Sequence, residues 1–250
     1  MAALSCACDA DPAVRPKVHA AFSPDPALES RLTALIAAMT LEQKVGQLIQ
    51  PDIASITPED LRHFPLGSIL NGGNSSPNGD EFAPPGKWLA LADGFYDPSM
   101  GAAHGSHPTP TLWGTDTVHG HDNIVGATIF PHNIGLGAAR DSNLVRWGRP
   151  YESYSESPEV VREHAAAMVL GLQGVPGSAE FLDASHVIAT PKPLVGDGGT
   201  GGRDQGDNAA SEEGPRDVPA AGYPPAIAAG VQTAMASFPS RRLTMRASRH

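Results

Sequence analysis

Apolar residues recur at the spacing of a helix in the first part of the chain. Residues 28–39 place four of them on one face, which predicts a helix. They are Leu32, Leu35, Ile36 and Met39. The next four residues form a capping box, in which the Thr40 hydroxyl and the Gln43 side chain bond each other's backbone N–H groups. A second helix is therefore predicted to begin there and to continue to Leu48.

A longer helix is predicted over residues 158–173. Ser157 and Pro158 are typical of a helix start, and Gly174 is typical of the residue after a helix end. Apolar residues spaced at three or four positions form one stripe along it. They are Val161, Ala165, Met168, Val169 and Leu172. Two shorter helices are predicted over residues 87–95 and 226–230.

Short apolar strands alternate with these helices. They are predicted over residues 67–70, 111–113 and 187–189. The sequence Asn-Gly-Gly-Asn at residues 71–74 predicts a turn with positive φ angles. Because strand and helix alternate, the predicted fold class is α/β with parallel βα units. Residues 196–222 are rich in glycine and aspartate and too long for a passive connection, so they are a candidate functional loop.

Composition excludes several classes of protein. Of 250 residues, 40% are hydrophobic, and no apolar run reaches the ~18–20 residues of a membrane-spanning helix. Lys+Arg 17 against Asp+Glu 27 gives a net charge of -10, although residues 241–250 are basic. Such an acidic body repels nucleic acid and anionic membranes, so neither is an expected partner. Cys6 and Cys8 are too close for a useful disulfide, and residues 1–10 lack a signal-peptide pattern.

Candidate chemistry follows the second strand. Asp116 lies where that strand ends, on the side where α/β proteins bind ligands; the alternative is an Asx turn. His119 and His121 are two residues apart in a segment expected to be extended, with both rings on one side. That spacing is typical of metal-dependent hydrolases, but no downstream ligand set accompanies it. Hydrogen-bonded histidines at the surface are therefore the alternative.

A third candidate spans residues 146–154, which hold two guanidinium groups, three aromatic rings and one carboxylate. Aromatic faces beside charged groups are typical of sugar-binding surfaces, and a structural cluster is the alternative. Residues 196–200 read Gly-Asp-Gly-Gly-Thr and lack the lysine of a phosphate-binding loop. No nucleotide site is therefore predicted.

Five motifs occur along the chain in the order found in one enzyme family. They are Met39-Thr-Leu-Glu-Gln-Lys-Val-Gly-Gln-Leu48, Trp113-Gly-Thr-Asp-Thr-Val-His-Gly-His121, Gly126-Ala-Thr-Ile-Phe-Pro-His-Asn-Ile-Gly135, Arg146-Trp-Gly-Arg149 with Tyr151-Glu-Ser-Tyr154, and Gly196-Asp-Gly-Gly-Thr200. Through them the chain resembles the N-terminal barrel domain of glycoside hydrolase family 3, in its β-glucosidase and exo-glucanase branch.

The resemblance implies an incomplete (β/α)8 TIM-type barrel over residues 28–238. An extended lead-in, residues 1–27, precedes it, and an unrelated basic tail, residues 239–250, follows. The implied ligand is a β-glucoside or glucose, with Asp116, Arg149 and Lys192 at the family's hydroxyl-binding positions. No metal and no cofactor are implied. The family suggests a periplasmic or secreted location, and the oligomeric state stays open.

The chain departs from the family pattern at sites that matter for catalysis. Pro193 stands where the family has a sugar-binding histidine, and a helix and a strand are missing between residues 141 and 146. Retaining hydrolysis requires two carboxyl groups, a nucleophilic Asp and an acid/base Glu. Neither family position is matched in these 250 residues, and Asp197 and Asp207 match no catalytic position. No catalytic residue is therefore predicted.

Three functions from different classes follow. The first is a β-glucosidase-like hydrolase by descent, without turnover in this chain, and it is the favoured expectation. The second is a non-catalytic glucoside-binding module that adds Trp113 to the three hydroxyl-binding residues. The third is a metal-dependent hydrolase that uses the histidines.

Overall fold

The computed structural model describes residues 20–23, 25–101, 108–138, 152–155, 157–192 and 220–236. Contacts divide the chain into two compact units. The N-terminal unit is Pro24–Leu136, and the C-terminal unit combines Met1–Ser23 with Gly137–His250. Most of the predicted lead-in, most of the predicted loop at residues 196–222 and the whole basic tail lie outside the described residues.

The N-terminal unit begins with two helices that have side-chain caps. Helix α1 spans Pro26–Ala38, and the Asp25 carboxylate accepts a bond from its first turn. Helix α2 spans Leu41–Gly46 and ends two residues before the predicted end. Its predicted capping box is confirmed, because Gln43 N–H donates to Thr40 Oγ1 at 3.2 Å and Thr40 N–H donates to Gln43 Oε1 at 2.9 Å.

The two strands of this unit pair in parallel, as predicted. Strand β1 is Ser68–Asn71 and strand β2 is Leu112–Thr115, and their registered pairs run from Ser68 with Leu112 to Asn71 with Thr115. Helix α3, Pro85–Ser99, lies between them along the chain. The arrangement is a βαβ unit, which places the carboxyl ends of both strands at one edge.

Large apolar side chains form the core of the N-terminal unit. Phe95 of α3 and Ile69 of β1 are each 1% exposed, and Leu61 is fully buried. Ile69 and Asn71 are both buried while Ser68 and Leu70 are half-buried, so one face of β1 is turned to the core. The buried cluster is Ile53, Leu61, Leu66, Ile69, Ala83, Trp88 and Phe95.

The C-terminal unit is organised around one long helix. Helix α5 spans Pro158–Gln173, and helix α6, Tyr223–Ala228, packs against α5. Helix α4, Asn133–Ala138, precedes α5 in the chain and contains the division between the two units, which falls after Leu136. The predicted end of α5 is confirmed, since Gly174 follows it with a φ of 77°, an angle that suits glycine. None of the helices described is long and apolar enough to cross a membrane.

The predicted apolar stripe of α5 is only partly correct. Val169 is 4% exposed, but Met168 and Leu172 are 40% and 38% exposed. The helix buries Gln173 completely instead. Its Nε2 donates to Gly230 O at 2.9 Å, and its Oε1 accepts from Ala189 N–H at 3.0 Å and Gln232 N–H at 3.3 Å. The amide is stable there because its polar atoms are paired.

The strand predicted over residues 187–189 is wrong. Val187 N–H donates to Leu172 O at 2.8 Å, and Ala189 N–H donates to the side chain of Gln173. The segment therefore bonds to the end of α5, and no strand is assigned over these residues. A short apolar run signals burial, but it does not distinguish pairing with a strand from packing on a helix.

The turn after β1 forms without the predicted backbone angles. The positive-φ positions of this region are Asn78 and Gly79, at 55° and 74°, and neither Gly72 nor Gly73 is among them. Gly72 N–H donates to Asp52 Oδ2 at 3.1 Å. A side chain twenty residues earlier thus holds the loop at Gly72.

Candidate functional site

Asp116 lies at the carboxyl edge of the parallel strand pair, as predicted. It follows β2 directly, and its N–H donates to Asn71 O at 3.0 Å, which extends the pairing by one residue. The side chain is half-buried. In parallel α/β folds this edge faces ligands, so a carboxylate here is placed to accept hydrogen bonds from hydroxyl groups.

Asn71 ends β1 at the same edge and organises the residues around it. It is 1% exposed. In the amide orientation that satisfies its neighbours, Nδ2 donates to Gly72 O at 3.0 Å and to Ser75 O at 2.8 Å. Oδ1 then faces His121 Nε2 at 3.4 Å. Asn71 therefore links the end of β1 to the segment after β2.

Asp52 supports this edge from the segment before β1. Its carboxylate accepts bonds from Ser75 Oγ at 2.5 Å, Ala54 N–H at 2.8 Å and Gly72 N–H at 3.1 Å. Partial burial raises the pKa of Asp52, but these three bonds outweigh it and hold the pKa below its ordinary value. The charged form therefore ties the loop after β1 to the residues before it.

The two histidines after β2 do not stand side by side. Gly120 between them has a φ of 110°, so the predicted extended segment is wrong. The His119 ring packs on His132 with centroids 4.4 Å apart, and the His121 ring meets Trp88 edge-on at 5.0 Å. Burial lowers the pKa of His121. Among the described residues, no group of three or more metal-binding side chains occurs.

Trp113 is half-buried and packs against the core of the N-terminal unit. Its ring lies against Phe95 of α3, with centroids 6.1 Å apart, and it packs on the buried cluster. Its indole N–H donates to Thr115 Oγ1 at 2.9 Å. Part of the ring is therefore taken up by the core, and a sugar contact of Trp113 stays a prediction.

Lys192 lies in the C-terminal unit, paired with Glu152, which is the carboxylate of the predicted 146–154 cluster. Its Nζ is 3.6 Å from Glu152 Oε1, and the two side chains are 19% and 6% exposed. The pair joins residues forty apart in the sequence, and no local pattern signals it. Arg149, the third predicted sugar contact, lies outside the described residues, as do Pro193, Asp197 and Asp207.

The segment that carries Glu152 is fixed against α5. Tyr154 stacks on His164, with ring centroids 4.9 Å apart, and burial raises the pKa of Tyr154. Gly137 of α4 passes so close to the Tyr154 carbonyl that a Cβ would overlap it. Tyr154, one of the three aromatic residues of the predicted 146–154 cluster, therefore packs as a structural residue.

The chain matches a family model along most of its length. The model, described as the glycosyl hydrolase family 3 N terminal domain, matches residues 40–146 and 142–249. The two stretches overlap at residues 142–146, where the helix and strand are predicted to be missing. The second stretch extends past residue 238, the predicted end of the barrel domain.

Two curated proteins match at low identity. A lysosomal β-glucosidase of Dictyostelium discoideum is 25% identical over 65% of this chain and 25% of its own length. A β-xylosidase of Formosa agariphila is 27% identical over 69% of this chain and 22% of its own length. The chain therefore spans about a quarter of the length of these relatives.

Solved structures give the fold. The exo-1,3/1,4-β-glucanase ExoP from a Pseudoalteromonas species is 45% identical, with a TM-score of 0.81 over 90% of this chain and 32% of that chain. A β-glucosidase from Listeria innocua, solved with isofagomine, has a TM-score of 0.62 at 19% identity. It covers 85% of this chain and 32% of that one, and at this identity it supports the fold alone.

The fold, the order of motifs and the family match all indicate the same enzyme family. The architecture is α/β, and the described parallel strand pair is part of an incomplete (β/α)8 TIM-type barrel. The relatives named above are β-glucosidase, β-xylosidase and glucanase enzymes. The chain belongs to glycosyl hydrolase family 3, of which it carries an N-terminal domain of the β-glucosidase and glucanase type.

Proposed function

We propose that this chain binds a terminal β-glucosyl unit, or glucose itself, and that these 250 residues do not hydrolyse the glycosidic bond. Asp116, Arg149 and Lys192 bind the sugar hydroxyls in this proposal. A carboxylate accepts from hydroxyl groups, whereas guanidinium and ammonium groups donate to their oxygens. A longer protein that also supplied the two carboxyls would use the same residues for turnover.

The position of Asp116 carries this proposal. Its carboxylate follows β2 at the ligand-facing edge of a parallel pair, and its backbone is fixed by the bond to Asn71 O. Family membership supplies the class of ligand. The Listeria innocua β-glucosidase has been solved with isofagomine and, as a mutant, with laminaribiose, so sugars and sugar analogues occupy a related fold.

Binding is tested by titrating glucose into the wild-type chain and into Asp116→Ala. We expect millimolar affinity, because Pro193 removes one sugar contact of the family. Loss of a charged hydrogen bond of ~1.5–3 kcal/mol should weaken binding about 10- to 100-fold in Asp116→Ala. Asp93→Ala, which removes an exposed carboxylate of α3, is the matched control and should bind like the wild type. Micromolar binding that Asp116→Ala leaves unchanged would place the site elsewhere.

The absence of turnover is tested separately with an aryl β-glucoside. Retaining hydrolysis needs two carboxyls about 5–5.5 Å apart across the anomeric carbon, and no residue of this chain matches either family position. We expect no release of the aryl group above background by protein purified from a host without β-glucosidase. Turnover by the wild-type chain that disappears in Asp197→Ala would overturn this part of the proposal.

A further inference from the structure

Glu152 and Lys192 form a pair of opposite charges that is largely removed from water. Their nearest atoms, Oε1 and Nζ, are 3.6 Å apart. The Glu152 side chain is 6% exposed and that of Lys192 is 19% exposed. Removing a charge from water is costly unless an opposite charge accompanies it, so each group determines where the other can lie.

Separate contacts hold the two backbones. The Lys192 segment is bonded to α5 through Val187 N–H and Ala189 N–H, and Pro191 O accepts from Met235 N–H at 3.1 Å. The Glu152 segment is held by the stacking of Tyr154 on His164. The pair of Glu152 and Lys192 therefore joins two segments that are each anchored by other contacts.

We propose that Glu152 is a positioning residue that holds the Lys192 ammonium in place for a sugar hydroxyl. This inference rests on the proposed function, since it takes Lys192 to be a sugar contact. A lysine side chain has several rotatable bonds, and fixing it costs rotamer freedom. The carboxylate fixes the ammonium before the ligand arrives, so less of that cost falls on binding. Glu152 itself does not touch the sugar in this account.

A first experiment needs no sugar. Lysines are labelled with an amine-acylating reagent and the rate at Lys192 is read by peptide mass spectrometry, with exposed Lys44 as internal reference. Relative to Lys44, we expect slow labelling of Lys192 in the wild type and a severalfold faster rate in Glu152→Gln. Glu180→Gln, which changes an exposed carboxylate of the same unit, should leave the rate unchanged. Equal rates in Glu152→Gln and the wild type would overturn the inference.

A second experiment separates positioning from a merely structural effect. Glucose is titrated into the wild type, Glu152→Gln, Lys192→Met and the double variant. We expect Glu152→Gln to weaken binding about tenfold in the wild-type background and to have no effect once Lys192 is methionine. The double variant removes both charges of the pair, so neither is left buried without the other. Equal weakening in both backgrounds would overturn the positioning role.

The two experiments distinguish this inference from the proposed function. If the wild type binds no glucose while Glu152→Gln still exposes Lys192 to labelling, the proposed function fails and the sugar-positioning role fails with it. If the wild type binds glucose but labelling of Lys192 does not respond to Glu152→Gln, only the positioning role fails.

Discussion

The two compact units are stabilised in different ways. The N-terminal unit buries large apolar side chains, among them Phe95, Leu61 and Trp88. The buried cluster of the C-terminal unit is Val169, Ala189, Ala226 and Ala229. Beside it, the fully buried Gln173 bonds three backbone groups. The stability of the N-terminal unit therefore depends on apolar area removed from water. The stability of the C-terminal unit depends more on close packing of small residues and on paired polar groups.

This difference decides what each unit can present to a ligand. The large core packs against β1 and β2, and Asp116 directly follows β2, with its N–H bonded to Asn71 O. Lys192 follows a segment in which no strand is assigned over the described residues 187–192, and which is held by Gln173 and by the end of α5. Side-chain contacts therefore do more to position Lys192 in the C-terminal unit than they do to position Asp116 in the N-terminal unit.

The largest effect is expected from removing the central aromatic ring of the N-terminal unit. Phe95→Ala leaves a cavity among well-packed neighbours and should lower the free energy of unfolding by about 3–5 kcal/mol. Phe82→Ala is the matched control, because that ring is 80% exposed and its loss should cost less than about 0.5 kcal/mol. Denaturant unfolding measures both. Equal costs for the two variants would show that the cluster around Phe95 is not the core of this unit.

The second-largest effect is expected in the C-terminal unit, from replacing a buried polar residue. Gln173→Leu leaves Ala189 N–H and Gln232 N–H without their acceptor, while Gly230 O keeps the bond from Gln232 Nε2. The free energy of unfolding should fall by roughly 2–3 kcal/mol, even though the new side chain is apolar. Amide hydrogen exchange of α5 measures it. Gln232→Leu, at an exposed position, should lower protection much less, and a stabilising Gln173→Leu would contradict the comparison.

The smallest effect is expected at the surface of the C-terminal unit. Hydrogen bonds from His186 and from the Ser185 side chain and backbone lower the pKa of Asp183 to about 2, from 3.8. Because the folded-state pKa is depressed, the stabilisation is complete above about pH 4 and is lost as pH falls towards 2. The wild type should therefore lose stability relative to Asp183→Asn across that range. His186→Ala should raise the pKa of Asp183, as measured in an NMR titration. An unchanged pKa would show that His186 is not the main reason why the pKa of Asp183 is low.

Local patterns predicted much of the fold. The capping box at Thr40, the start and end of α5 and the parallel pairing of β1 with β2 all follow from spacing and from residues close together in the sequence. The position of Asp116 followed for the same reason, because a strand end is a local feature.

The features that sequence reasoning missed are bonds between distant residues. Gln173 bonds Gly230, Asp52 bonds Ser75, and Glu152 pairs with Lys192. Each places a polar side chain where its partner is fixed only by the fold, so no periodicity signals it. The predicted strand at residues 187–189 failed for this reason, since its N–H partners lie on a helix.

The most direct test of the proposed sugar site is a map of the residues that respond to glucose. Backbone amide resonances of the isotope-labelled chain are followed by NMR up to saturating glucose, with a sugar alcohol of similar size as control. The account predicts concentration-dependent shifts at Asp116 and its neighbours at the end of β2, and at Lys192, with none for the control. Saturable shifts that spare both Asp116 and Lys192 would contradict it.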